Sequence, residues 1–214
     1  MNKNVIDYID KIRNGILHDK ISTDIPNYRL LCSALDIVSD AEDGIYSYLN
    51  LKNENGRGLN YIYCYGIISL AETEAHAIKV IYKILLNQDL DIASIPDLDI
   101  VRLLRNKIFA HPVDLSQRHG KQGFGIVASY LSTFSFLPYS FENDDYQSGN
   151  GLSLYEKVKN LASNKTNYND LIIDIKELIE KQQSILSTLL KEIETEYQLY
   201  DFINFAKSPL PPLC

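Results

Sequence analysis

Apolar residues recur at intervals of three and four positions along most of the chain, which is the spacing of one helix face. The first such stripe runs from Val5 to Ile12 and ends before Gly15. A second begins near Asn27 and continues to Leu49, where a loop rich in glycine and asparagine follows. The pattern therefore predicts a short first helix and a longer second helix over about 27–49.

The same periodicity predicts two more long helices. A stripe from Ile67 to Leu85 predicts a helix over about 60–86. Another, from Leu171 to Tyr197, predicts a last helix over about 168–202, preceded by a short helix over 154–161. Gln182 interrupts the last stripe, which is more typical of a bundle face than of a sustained coiled coil.

The period changes after Gly120. The segment "FGIVASYLSTFSFLPYSF" is rich in aromatic and β-branched residues, and Pro138 breaks it. It predicts a small β-hairpin or an extended excursion near 123–141, inside an insertion over 121–152. The predicted fold class is thus mainly all-α: an up-and-down helical bundle forming a single domain over 1–207, with a flexible tail over 208–214.

The middle of the chain carries a segment with candidate chemistry, "LLRNKIFAHP", on a helix predicted to open with Pro96 in its first turn. On a helical wheel the apolar positions 101, 104 and 108 share the side that should be buried. The opposite side carries two guanidinium groups, an amide and an aromatic ring, at Arg102, Arg105, Asn106 and Phe109. An ideal helix continued to His111 turns that imidazole away from Arg105, although Pro112 biases His111 out of helical geometry.

Charge is unevenly distributed along the chain. The 214 residues carry a net charge of −7, with a pI of about 5.1, which argues against a protein that coats nucleic acid over its whole surface. Between 102 and 121, however, one acidic residue, Asp114, stands among five basic ones: Arg102, Arg105, Lys107, Arg118 and Lys121. This basic island favours a phosphate-binding surface; the alternative is a solvated helix end whose cations face the negative end of the helix dipole.

The heptapeptide "RNKIFAH", residues 105–111, resembles the signature of the HEPN superfamily, in which an Arg and a polar residue, often Asn, precede a His by a few positions. The resemblance implies a helical bundle that forms a homodimer, with two copies of the motif facing each other across the interface. Many members are metal-independent RNA endonucleases of toxin–antitoxin, phage-defence or RNA-processing systems. Others have lost activity and bind a nucleotide, RNA or a protein partner.

These residue types suit RNA cleavage without a metal or cofactor. His111 is the predicted general acid and base, Arg105 is the predicted ligand of the scissile phosphate, and Asn106 supports them. The predicted products are a 2',3'-cyclic phosphate and a 5'-hydroxyl. Further substrate-binding residues are predicted in the basic island and beside it: Arg102, Lys107, Phe109, Arg118 and His119. The expected partners are RNA, a second copy through the 102–111 face, and an antitoxin protein.

Two alternatives remain open at this point. The same dimer without catalysis would bind a nucleotide, RNA or a protein, with Arg105 paired to an acid and His111 simply ending a helix. A helical interaction protein would instead bind a partner through the 168–202 helix and expose an apolar strip there.

The segment "AETEAH" places Glu72 and His76 four residues apart on one helix face. Two side chains do not make a metal site, and an exposed polar face is the commoner meaning of such a pair. We also expect Glu72 to approach the motif helix if the bundle brings the two helices together.

The remaining features bear on location. No run of apolar residues is long enough to span a membrane, and the amino-terminal segment lacks the apolar stretch of a secretory signal. Cys32, Cys64 and Cys214 show no close spacing, which favours reduced thiols over disulfides or a zinc site. The expectation is a soluble cytoplasmic protein.

Overall fold

A computed structural model gives the fold and describes residues 3–16, 25–51, 56–109, 113–114, 122–127, 133–138, 164–165 and 171–207. Most of this part of the chain forms α-helices: α1 (Lys3–Lys11), α2 (Ile25–Leu49), α3 (Arg57–Leu86), α4 (Pro96–Leu103) and α5 (Ile175–Lys207). The protein is therefore mainly a helical bundle, as the apolar periodicity predicts.

The predicted helix ends agree closely with the structure for the first three helices. α1 passes into a π-helical turn, Ile12–Ile16, that contains the predicted stop at Gly15. α2 and α3 begin within three residues of their predicted starts, and the short connection between them makes them antiparallel neighbours. α3 ends at Leu86, and the next residue, Asn87, has a φ of 55°, in the left-handed region that commonly closes helices.

Two groups of buried apolar side chains form the core. One lies between α2, α3, α4 and α5 and includes Val101 and, from the motif segment, Leu104. The other includes Val5 and Ile9, so it attaches α1 to the same helices. The predicted buried side of the motif helix is thus confirmed at positions 101 and 104. Burying one such aliphatic side chain contributes about 1.5–3 kcal/mol, which fixes α4 firmly against the bundle.

The described strands form one small antiparallel sheet. They are β1 (Val113–Asp114), β2 (Gln122–Val127), β3 (Thr133–Pro138), β4 (Asn164–Lys165) and β5 (Leu171–Asp174), in the order β1-β2-β3-β5-β4. β2 and β3 pair from Phe124 opposite Pro138 to Val127 opposite Ser135, which confirms the predicted hairpin. The predicted helix over 154–161 and the predicted tail over 208–214 lie outside the described residues.

The predicted start of the last helix near position 168 is wrong. Residues 171–174 instead pair with β3, with Leu171 opposite Phe136 and Asp174 opposite Thr133. The helix begins directly after this strand, because the Asp174 carboxylate accepts the backbone N–H of Glu177 at 3.0 Å and caps the first turn. It also continues to Lys207, past the predicted end near 202.

A polar cluster lies inside the bundle and explains the glutamine that interrupts the last apolar stripe. Gln182 donates to the Ala71 carbonyl at 2.8 Å and to Glu74 Oε2 at 3.2 Å, while Gln183 donates to the same Glu74 oxygen at 2.8 Å. Glu42 on α2 lies at hydrogen-bonding distance from Glu74. Burial and the neighbouring Glu42 carboxyl raise the pKa of Glu74 well above its usual range, against the opposing effect of the glutamine amides.

Candidate functional site

Arg102 directly precedes the motif segment, and its guanidinium is held by its own helix, α4. Arg102 donates from Nε to Asp99 Oδ1 at 3.0 Å, and its Nη2 contacts the same oxygen. The Asp99 side chain is only 3% exposed, whereas Arg102 is 32% exposed. The basic island of the sequence is therefore partly neutralised at this position by an acid that precedes it on the helix.

Past Leu103 the backbone changes from an α-helix to a π-helical turn, Leu104–Phe109. The α-helical geometry predicted for this segment is therefore wrong over Leu104–Phe109. A π-helical turn closes hydrogen bonds five residues apart instead of four and occurs frequently at functional sites. Arg105 and Asn106 of the motif both lie in this turn, while Leu104 anchors its start in the core.

Arg105 is restrained by two neighbours. Its Nη1 donates to Asn106 Oδ1 at 2.8 Å, so the two motif residues contact each other directly. Its Nε lies 3.8 Å from Glu72 Oε2 on α3, which is the pairing with an acid expected of the non-catalytic alternative. The side chain is nevertheless 43% exposed, and this leaves part of the guanidinium open to solvent.

Glu72 also contacts a histidine. Its other oxygen, Oε1, lies 3.3 Å from His76 Nε2, one turn further along α3. Glu72 is largely buried, at 14% exposed, whereas His76 is 53% exposed. The expectation that Glu72 approaches the motif helix is thus confirmed, and one carboxylate contacts an imidazole and a guanidinium with its two oxygens.

We call Glu72, His76, Arg105 and Asn106 together the Arg105 cluster. It combines a fixed positive charge, which suits a phosphate, with an exposed imidazole, which suits proton transfer. The sequence indicated Glu72 and His76 as a pair through their spacing on α3. Their association with Arg105 depends on the packing of α4 against α3, which local spacing does not report.

Several predicted site residues, or their side chains, lie outside the part of the chain that the structure describes. The backbone of Lys107 and Phe109 belongs to the π-helical turn, but their side chains lie outside the described residues. His111, Arg118 and His119 lie outside them entirely. Their predicted roles therefore stay predictions, and the structure brings together Arg105 and Asn106 from the predicted catalytic set.

Other kinds of site find little support in the described ranges. No group of three or more His, Cys, Asp or Glu side chains in them is arranged to hold a metal ion. Cys32 and Cys64, the two cysteines described, are free thiols, and burial raises the pKa of Cys64 to about 12. Within the same ranges, no helix has the length and apolar character needed to cross a membrane.

The large apolar side chains exposed on the described surface are concentrated on α2, on α3 and near their connection: Tyr28, Leu30, Ile37, Tyr46, Leu49, Leu51, Leu59, Ile62 and Tyr65. On α5, side chains are described from 175 to 196, and no large apolar side chain in that range is among the exposed ones. The apolar strip expected of an interaction protein that binds through its last helix is therefore not found on that part of α5.

No known protein family, curated sequence or solved structure matches the chain. Its function must therefore be inferred from the chemistry of its own residues. Among the described residues, the Arg105 cluster is the place where a cationic side chain that can bind an anion and a side chain that can transfer protons lie together on the surface.

Proposed function

We propose that the chain is a metal-independent RNA endonuclease of the HEPN type. In this proposal Arg105 binds the scissile phosphate, Asn106 holds Arg105, and His111 transfers protons. The observation that carries it is the state of Arg105, which is held at Nη1 by Asn106 and approached at Nε by Glu72 while 43% of its side chain is exposed. A guanidinium that is already oriented loses less conformational freedom when it binds a phosphate oxygen.

The proposed reaction uses the neighbouring ribose as its nucleophile. A base removes the proton of the 2'-hydroxyl, the oxygen attacks phosphorus, and an acid protonates the departing 5'-oxygen. Arg105 would stabilise the extra negative charge on the phosphorus oxygens, because a guanidinium stays protonated and offers a planar set of donors. The products are a 2',3'-cyclic phosphate and a 5'-hydroxyl.

Asn106 acts in this proposal on Arg105 instead of on the substrate. Its Oδ1 accepts the Nη1 hydrogen bond at 2.8 Å, so the amide fixes one edge of the guanidinium. The π-helical turn supports the same interpretation, because such turns are rare and are often found where side chains must be redirected for function.

The proposal includes a cytoplasmic homodimer with the 102–111 segments near the two-fold axis. Exposed apolar side chains on α3, at Leu59, Ile62 and Tyr65, support a protein interface near the amino-terminal end of the helix that carries Glu72 and His76. A toxin–antitoxin, phage-defence or stress-response role, with an antitoxin protein as partner, follows from the HEPN resemblance and belongs to the proposal.

The test is cleavage of total cellular RNA by the purified protein in EDTA. Wild type, Arg105→Ala and His111→Ala are compared, with Thr73→Ala as a control, since Thr73 is exposed on α3 and bonds only to its own helix. We expect cleavage by wild type and the control, with cyclic-phosphate ends, and none by the other two. Equal cleavage by all four proteins, or none by wild type, would overturn the catalytic assignment. RNA that is bound but left intact would favour the non-catalytic alternative.

A further inference from the structure

We infer that His76 is a second proton-transfer residue of the proposed cleavage site and that Glu72 is its positioning residue. The inference rests on the proposed function, because it assigns to α3 a part of the reaction that Arg105 serves. The base that it assigns, and the contacts that position that base, lie among the described residues; His111 keeps the acid role given to it in the proposed function.

The geometry centres on one carboxylate. Glu72 places Oε1 3.3 Å from His76 Nε2 and Oε2 3.8 Å from Arg105 Nε. The imidazole and the guanidinium therefore lie on either side of the same group, beside the position where Arg105 would hold a phosphate. Because Glu72 is only 14% exposed, it is a firmer support than a solvated surface acid.

In the inferred role, His76 carries its proton on Nε2, the nitrogen 3.3 Å from Glu72 Oε1, and the lone pair of Nδ1 is the proton acceptor. Catalytic carboxylate–histidine pairs work in this way: the acid orients the ring and stabilises the imidazolium that forms. His76 is 53% exposed, so a bound substrate has access to the ring.

The surrounding elements distinguish this arrangement from an ordinary surface pair. A Glu–His pair at four-residue spacing on an exposed helix contributes little to stability and needs no third member. Here a guanidinium from the π-helical turn approaches the same acid from outside α3. The Arg105 side chain is 43% exposed, so it can still contact an anionic ligand beside this acid.

The proposed step is balanced without any oxidant or metal. His76 Nδ1 takes the proton of the 2'-hydroxyl while the 2'-oxygen bonds to phosphorus. The bond between phosphorus and the 5'-oxygen breaks, and the departing oxygen takes a proton from the imidazolium proposed at His111. Proton exchange with water then restores both rings.

The experiment measures cleavage of a single-stranded oligoribonucleotide in EDTA by wild type, His76→Ala and His76→Gln, between about pH 5 and pH 9, the range in which histidines titrate. We expect kcat to fall about 100-fold in both variants, the usual effect of losing a general base, with KM unchanged. The acidic limb of the pH profile should disappear, and added imidazole should restore part of the rate to His76→Ala. Thr73→Ala, altered on the same helix, should behave as wild type.

Glu72→Gln tests the positioning role. The amide keeps the size of the side chain but removes the charge that faces the imidazole of His76. We expect kcat to fall about 10-fold, as for other residues that orient a catalytic group. KM should not rise, because Arg105 binds the phosphate and Glu72→Gln removes the negative charge beside it. An unchanged kcat would overturn the role of Glu72.

The outcomes separate the two proposals. An inactive wild type overturns the proposed function, and this inference falls with it. An active wild type whose rate and pH profile survive His76→Ala and His76→Gln overturns the inference alone. A slow His76→Ala with an unchanged pH profile and no response to imidazole also overturns it, since that pattern indicates a structural role.

Discussion

Glu72 on α3 and Arg105 in the π-helical turn face each other across a helix–helix boundary, with 3.8 Å between Oε2 and Nε. Partly exposed pairs at such distances contribute about 0–1 kcal/mol to folding, so this contact does little to stabilise the bundle. Its effect is on direction: together with Asn106 it limits where the guanidinium can point. Substitutions at position 105 can therefore test whether the shape of the guanidinium matters in addition to its positive charge.

Arg105→Lys should reduce RNA cleavage nearly as strongly as Arg105→Ala, by about 100-fold, which is the scale of one lost charge-stabilising donor group. A lysine keeps the positive charge but has one nitrogen, which cannot satisfy Asn106 and a phosphate with the same planar geometry. The measurement is kcat/KM on a defined oligoribonucleotide, with the thermal unfolding midpoint recorded beside it.

Arg13→Lys is the matched control. Arg13 forms a similar ion pair with Asp36, at 2.8 Å, but lies in the turn after α1. Its replacement should leave cleavage at the wild-type rate. If Arg105→Lys retains full activity, charge alone suffices and the proposed geometric role of the guanidinium is wrong.

Arg102→Ala should destabilise the protein by about 1–3 kcal/mol, because it removes the cation that compensates the buried Asp99 carboxylate. The double variant Arg102→Ala with Asp99→Asn should recover part of that loss, since no buried charge is then left at position 99. Urea unfolding measures both. RNA binding measured on the double variant then shows whether Arg102 also contacts substrate, as the sequence predicts. Equal stability of Arg102→Ala and wild type would contradict the structural role.

Glu74→Gln should stabilise the protein at neutral and alkaline pH. The pKa of Glu74 is raised in the folded state, chiefly by burial and then by Glu42, so the folded protein retains a proton that the unfolded chain has released. The free energy of unfolding therefore falls as pH rises from the ordinary glutamate pKa, about 4.3, through the raised value, by about 1.4 kcal/mol per pH unit for one full proton.

Urea unfolding of wild type and Glu74→Gln across that pH interval measures the effect. The slope due to this proton should be absent from the variant. Glu180→Gln is the control, because Glu180 is exposed on α5 beside Lys176 and should leave the slope as in wild type. A variant that keeps the wild-type slope would show that another group binds the proton.

The described thiols should differ sharply in reactivity. Burial raises the pKa of Cys64 to about 12, so this side chain stays a protonated and inaccessible thiol at mildly alkaline pH. Cys32 is partly exposed. In a Cys214→Ser protein, a disulfide reagent such as dithionitrobenzoate should modify Cys32 in the native state and Cys64 only after denaturation. Rapid reaction of both would contradict the packing of α3 described above.

Helix periodicity predicted α2 and α3 well because their apolar stripes are long and each buries one face. It failed at residues 171–174, where the run "LIID" fits either a helix or a strand. What decides between them is the pairing of Leu171 with Phe136, a partner far away in the sequence. The β2–β3 hairpin was predictable because its two strands are neighbours in the chain.

Part of the candidate site could likewise be predicted, because it is formed by residues that are neighbours in the sequence. Arg105 and Asn106 are adjacent, so their hydrogen bond lies within the motif itself. The π-helical turn was not predictable from the wheel, because the apolar positions 101 and 104 suit an α-helix equally well. The approach of Glu72 to Arg105 was expected only on condition that the two helices pack together, and the structure supplies that condition.

The polar cluster inside the bundle has a consequence for how uniquely the helices align. Gln182 and Gln183 donate to one oxygen of Glu74, and Gln182 also reaches the Ala71 carbonyl on the same helix. If α5 slid by one turn along α3, apolar contacts could re-form, but the fully buried Glu74 carboxyl would lose its donors. Apolar packing alone tolerates such sliding, whereas buried polar pairs do not. The cluster therefore fixes the register between α5 and α3, the helix that carries Glu72 and His76.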